Sequence, residues 1–276
     1  FADFWERLVG ALERLDFFGL HVRAAVHIVV PRNLRRLARV LHAFGPVTLA
    51  AFHVSGGGAE EACFEDEFGM GSPVVIEAWQ FVKRLEAALS AERVPYAVVA
   101  GDLTEQALQQ GKWTVVASAG GLEHEIRETL ARAARDGMTI SIGPHLVERD
   151  AIFQPLPEPF RVSETGRVPS HLSLDETALR EAVRVAKSTL ELPSIACSPE
   201  GVSVTVHHDQ AGQPRVAFVI NPTTRALRAE LSLPGIARAV DALDGSEFRA
   251  KEGQFELPLP PQTVRLFELF PLLFSA

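Results

Sequence analysis

Apolar residues recur along this chain with two different periods, and the change falls near residue 200. Phe4, Trp5, Leu8, Leu12 and Leu15 are spaced three or four apart, which predicts an amphipathic helix over residues 1–20 with the tryptophan in its core face. Ala24–Val30 is a short β-branched run and predicts a buried strand. Asn33–Phe44 places Leu34, Leu37, Leu41 and Phe44 on one helical face, and Gly45-Pro46 stops it. Val47–His53 reads as a second strand. Val74–Glu92 predicts a strong helix through Ile76, Trp79, Phe81, Val82, Leu85 and Leu89. Tyr96–Ala100, Trp113–Ser118 and Met138–Gly143 read as further strands. Thr104–Gln110, capped by Asp102, and Leu122–Arg135, closed by Gly137, read as helices. Strand and helix alternate, and every strand is a continuous apolar run. Strands of that kind are buried on both faces, so the expected fold class is α/β with a parallel sheet.

Ala151–Ser170 is rich in proline and reads as a linker or edge meander. Ser173–Leu190 predicts a helix, with Ser173 and Glu176 in capping-box spacing. From Gly201 the period becomes two. Val202–His207, Val216–Ile220, Leu227–Leu233, Ala237–Asp241 and Val264–Leu269 read as short strands. Turn residues such as Asn221-Pro222 and Asp244-Gly245 separate them, which predicts an antiparallel β-sandwich. The expected layout is an α/β domain over 1–165, a linker helix over 166–194 and a sandwich over 195–276.

Size and charge narrow the function classes. A chain of 276 residues has room for about two domains and needs no disulfide or metal staple. Net charge is −8, which argues against a duplex nucleic-acid partner, since such proteins present a basic surface. Arg32, Arg35, Arg36 and Arg39 lie at helical spacing and read as a solvated face. No apolar run reaches the ~18 residues of a membrane span. The two cysteines, Cys63 and Cys197, form no metal-type or redox spacing. A cytoplasmic location is expected, with no cofactor and no metal.

Three segments together resemble family 42 glycoside hydrolases, the β-galactosidases. The first is the strand Trp113-Thr-Val-Val-Ala-Ser118, the helix after it and the Gly137–Asp150 strand with its Gly143-Pro144 turn. It is similar to the family's non-catalytic trimerisation domain, a flavodoxin-like fold related to class I glutamine amidotransferases. The second, Pro199-Glu-Gly-Val-Ser-Val-Thr-Val-His207, resembles the entry into the small C-terminal sandwich. The third comprises Val216–Thr223, Ala239–Gly245 and Leu257–Glu268, which look like later strands and turns of that sandwich. The resemblance covers roughly residues 74–276. This chain departs from the family pattern in carrying Asp136-Gly137 for a Gly-Gly pair and His145 for an arginine. The resemblance implies a homo-oligomer, a trimer, that acts on a β-linked sugar. It also implies a catalytic TIM barrel lying upstream.

Candidate chemistry is sparse. A retaining glycosidase needs two carboxyl groups about 5–5.5 Å apart, carried in this family on barrel strands. A barrel needs about 250 residues, which the β texture after residue 200 excludes here, so no catalytic dyad is expected. The loop Ser55–Ser72 concentrates Glu60, Glu61, Glu65, Asp66 and Glu67. It reads as a solvated acidic loop, or as one that reaches toward a neighbouring subunit's sugar with Glu65, Glu67 and Phe68. Metal binding there lacks a regular ligand spacing. Ser118 and His124 have no nameable carboxylate partner, and neither nearby turn has the G-x-S/C-x-G frame of a nucleophile elbow. Gly56–Gly58 and Gly69–Gly71 miss the dinucleotide-binding frame. His207 and His208 on one strand point to opposite faces. Trp5, Trp79 and Trp113 read as core rather than as sugar platforms. The expected function is therefore a non-catalytic, oligomer-forming part of a β-galactosidase-like enzyme. A free-standing carbohydrate-binding or assembly module is the alternative. An amidotransferase-like hydrolase relying on Ser118 or Cys63 ranks last.

Overall fold

The computed structural model describes residues 2–35, 73–100, 108, 111–162, 168–199 and 201–272. The expected strand Val47–His53, all but Leu108 of the helix Thr104–Gln110, most of the helix Asn33–Phe44 and the whole acidic loop with Glu65, Glu67 and Phe68 lie outside them. So do Arg36, Arg39 and Cys63.

The chain divides into two compact units. One comprises residues 24–89 and 96–192, the other residues 1–23, 90–95 and 193–276. This differs from the expected boundaries in where residues 90–95 and two helices fall. The N-terminal helix, expected in the α/β domain, belongs to the β-rich unit. The helix expected as a linker belongs to the α/β unit.

The α/β unit is built on β2 (Val26–Val30), preceded in the other unit by α1 (Ala2–Arg14) and β1 (His21–Val22). Then come α2 (Pro73–Ala91), β3 (Tyr96–Ala100), β4 (Trp113–Ser118), α3 (His124–Arg135) and β5 (Thr139–Pro144). The four strands β2–β5 are parallel, in the order β3-β2-β4-β5. All residues of β2 and β4 are buried, His27, Thr114 and Ser118 included, which is why those segments read as largely apolar runs without alternation. On one side of the sheet, Leu122, Ile126 and Leu130 pack against Val29, Val116, Ile140 and Ile142. Gly137, at φ 88°, ends α3 as expected.

A hairpin of β6 (Val147–Arg149) and β7 (Pro155–Phe160) follows within the proline-rich stretch. Next is α4 (Glu176–Thr189), which starts three residues later than the capping-box reading. Asp175, not Ser173, is its N-cap, because the Asp175 Oδ1 accepts a 2.8 Å bond from the Ala178 amide. A carboxylate at that position also complements the positive helix end. Leu179, Val183 and Ala186 form the buried stripe of α4.

The β-rich unit holds two antiparallel sheets. Its strands are β8 (Cys197–Ser198), β9 (Ser203–His208), β10 (Pro214–Asn221) and β11 (Leu227–Ser232). They continue with β12 (Ile236–Asp241), β13 (Glu247–Arg249), β14 (Gln254–Leu259) and β15 (Thr263–Pro271). One sheet runs β1-β9-β10-β15-β12-β13 and the other β14-β11-β8. The core between them contains Val219, Leu231, Phe255, Leu257, Phe267 and Leu269. The alternation in β14, buried at every second residue, is the period-two pattern of a strand with one wet face.

The N-terminal helix covers the outer face of the larger sheet. Leu8, Ala11, Leu12 and Leu15 pack with Val216, Phe218 and Leu266. Trp5 does not join them and is 49% exposed, a correction to its reading as a core residue. The packed residues repeat at i, i+3, i+4 and i+7 from Leu8; Trp5, three residues before Leu8, keeps that spacing but lies at the margin of the stripe. Trp113 is fully buried, its indole donating to Ser141 Oγ at 2.9 Å, and Trp79 is half-buried.

Candidate functional site

In open parallel sheets, ligands collect beyond the carboxyl ends of the strands. In this unit that edge is shaped by three backbone constraints. The first is the turn after β4. The Gly120 amide donates to Ser118 Oγ at 3.0 Å, and the Gly120 carbonyl accepts from the Glu148 and Arg149 amides, both at 3.0 Å. Gly121 lies so close to the hairpin that a Cβ there would stand 2.6 Å from the Asp150 carbonyl oxygen. The second is Asn33, in the helical turn that follows β2. Its Nδ2 donates to the Gly121 carbonyl at 2.9 Å and its amide donates to Glu123 Oε1 at 2.7 Å. The third is the segment around His171. The Ile142 amide donates to the Ser170 carbonyl and the Leu172 amide to the Ile142 carbonyl, both at 2.9 Å. Gly143 is pressed against this segment, and a side chain there would collide with the Leu172 carbonyl and the Phe81 ring.

These constraints frame a cleft of about 450 Å³, lined among others by Val74, Leu146, Arg149, Phe153, His145 and His171. Beside it, His145 Nε2 lies 2.8 Å from Glu77 Oε2, with 28% and 41% of the two side chains exposed. Arg149 Nη1 donates to the Phe153 carbonyl at 3.3 Å, which tethers the guanidinium to the hairpin turn. Asp150 Oδ1 closes that turn by accepting from the Ile152 and Gln154 amides. A second cleft of about 470 Å³ adjoins the first and shares Leu146 and His171 with it.

The structure does not assemble Ser118 and His124 into a catalytic pair. Ser118 is fully buried and its hydroxyl is occupied with the Gly120 amide. His124 is exposed on the first turn of α3, 3.3 Å from Glu128. Cys197 is a buried free thiol, and burial raises its pKa. Among the described residues no group of three or more His, Cys, Asp or Glu side chains could hold a metal ion. No described helix is long and apolar enough to cross a membrane. His207 packs against Phe17 and Phe218, with ring centroids 4.7 and 5.6 Å away, so it is structural.

The Glu77–His145 pair escaped sequence reading. Its members are far apart in the chain and belong to no spacing motif. The one available signal was the histidine standing where the resembled family carries an arginine.

A parallel sheet with strand order β3-β2-β4-β5 and a separate antiparallel β unit define a two-part α/β and β protein, and solved structures share this fold. The chain is similar to the β-galactosidase of Bacillus circulans sp. alkalophilus, with TM-score 0.58 and 13% identity over 95% of this chain and 44% of that one. It is similar to a GH42 β-galactosidase from G. stearothermophilus, with TM-score 0.55 and 12% identity over 89% of this chain and 40% of that one. The cold-adapted β-galactosidase of Rahnella sp. R3 gives TM-score 0.53 and 11% identity, over 91% and 42%. The chain thus spans less than half the length of each of these enzymes and resembles that part of them. No family model matches the sequence, and no curated protein does.

Proposed function

We propose that this chain is the non-catalytic C-terminal portion of a family 42-like glycoside hydrolase and that it mediates assembly of a homo-oligomer, a trimer by resemblance. The observation that carries the reading is the overlap of almost the whole chain with 44% of a β-galactosidase. On this reading the catalytic barrel is an upstream part of the same protein and the substrate is a β-linked sugar. Glu65, Glu67 and Phe68 are assigned to contacts with sugar held by a neighbouring subunit. The β-rich unit serves as an accessory domain.

The test is the denatured mass of the natural gene product. The reading expects a mass well above 30.1 kDa, with room for a barrel of ~250 residues or more. A product of 30.1 kDa would overturn it and favour a free-standing module. The assembly claim is read from the native mass of the same product, expected at three times the denatured one.

A further inference from the structure

We infer that the cleft at the carboxyl edge of the parallel sheet is a saccharide-binding subsite. Glu77, His145 and Arg149 hydrogen-bond the hydroxyls of a neutral sugar ring, and Leu146 and Phe153 pack against its C–H face. The ligand class rests on the glycosidase reading above; the location and the residues do not.

The lining chemistry selects among ligand types. An anion would meet Arg149 and two imidazoles but also the carboxylate of Glu148 in the lining and that of Glu77, which lies beside the cleft against His145. A cation would meet those carboxylates but also Arg149. An apolar ligand would strip water from all of them without replacing its hydrogen bonds. A neutral polyol carries a donor and acceptor on every hydroxyl and can satisfy both signs at once. Its ring also has an apolar face, matched here by Val74, Leu146 and Phe153.

Two further features favour a site over a surface dent. Backbone hydrogen bonds fix both flanks, at Gly120 and at Ile142–Leu172, so little ordering accompanies binding. The cleft, about 450 Å³, lies in the size range of small-molecule sites and adjoins a second cleft across Leu146 and His171. Two adjoining clefts match two linked rings, so a disaccharide engages both. The cleft at the opposite edge of the sheet carries no such case, because the Lys112 ammonium there is engaged with the Leu190 and Glu191 carbonyls at 3.2 and 3.0 Å.

The experiment is a titration of the 276-residue chain, labelled with ¹³C-histidine, followed by imidazole resonances. The probes are galactose, lactose and inorganic phosphate. Expected are saturable shifts of His145 and His171 but not of His124 or His21, with a lactose dissociation constant on the order of 1 mM. Lactose binds more tightly than galactose. Glu77→Gln and Arg149→Ala each weaken binding by about tenfold. Arg149 is exposed, so its loss leaves the fold intact and keeps the test valid if Glu77→Gln unfolds. No saturable shift with either sugar overturns the inference, as does saturation by phosphate alone or sugar binding unchanged in both variants. The gene-product mass is independent of this result, so failure of the subsite and failure of the glycosidase reading are told apart.

Discussion

The Arg265 guanidinium reaches the Asp241 carboxylate at 2.9 Å inside the β-rich unit, where only 14% and 3% of the two side chains remain exposed. Asp241 Oδ1 also accepts the Leu243 amide at 2.8 Å, so one carboxylate holds the turn after β12 and anchors β15. Removing the arginine leaves a buried, uncompensated charge. Arg265→Met is expected to cost about 3–5 kcal/mol, read as a lower urea midpoint at unchanged slope. A loss below about 1 kcal/mol, the range of a surface pair, would refute this account.

Two glycines test the packing in opposite directions. Gly143→Ala drives a methyl into the Leu172 carbonyl and the Phe81 ring, and backbone cannot yield as a flexible side chain can. A loss of at least about 3 kcal/mol is expected, and poor soluble yield is the practical sign. Gly10→Ala sits in α1 with only Arg14 Nη1 near, at 3.9 Å. It should stabilise by about 0.5–1 kcal/mol through helix propensity, seen as a higher melting temperature.

Stability should fall with acid below the ordinary histidine range. Burial lowers the pKa of His27, His207 and His208, and for the last two neighbouring positive groups, including His21, add to the effect. A lowered folded-state pKa means the unfolded chain binds protons first as pH drops. The neutral imidazoles therefore cost nothing above about pH 6.5, and stability declines from there down to their folded-state pKa values. Each contributes a slope of at most about 1.4 kcal/mol per pH unit. Thermal melts of wild type and His207→Phe between neutral and mildly acid pH read this, the variant having the shallower slope. Equal slopes would sink the assignment to His207.

Cys197 should be chemically silent in the folded protein. Its thiol is enclosed and its pKa raised by burial, against a weaker opposite pull from Arg93. In a Cys63→Ser background, a thiol reagent should label Cys197 only after denaturant is added. Rapid labelling of the native chain would contradict the packing of β8.

Asp175→Ala removes the side-chain bond to the Ala178 amide and should cost about 1 kcal/mol. Ser173→Ala should cost much less, which separates the observed cap from the sequence-based one by two denaturation curves.

The sequence alone determined the two textures. Runs such as Val26–Val30 and Trp113–Ser118 read as buried on both faces, because their apolar residues fall on both sides of the strand; their few polar members, His27, Thr114 and Ser118, are buried with them. Alternation in Gln254–Leu259 likewise demands one wet face. Local spacing carries these signals, so the parallel α/β part and the β-rich part are both legible in the sequence. Tertiary structure alone decided what those elements enclose. That α1 packs on Val216 and Leu266 depends on which of several apolar faces it meets, and amphipathicity does not name the partner. That His145 meets Glu77, and that Arg149 and His171 line the same cleft, follows from parallel crossovers carrying distant segments to one sheet edge. No periodicity encodes such a meeting. It arises from the order β3-β2-β4-β5 and from glycines at 121 and 143 that let neighbouring backbone approach where a Cβ could not fit.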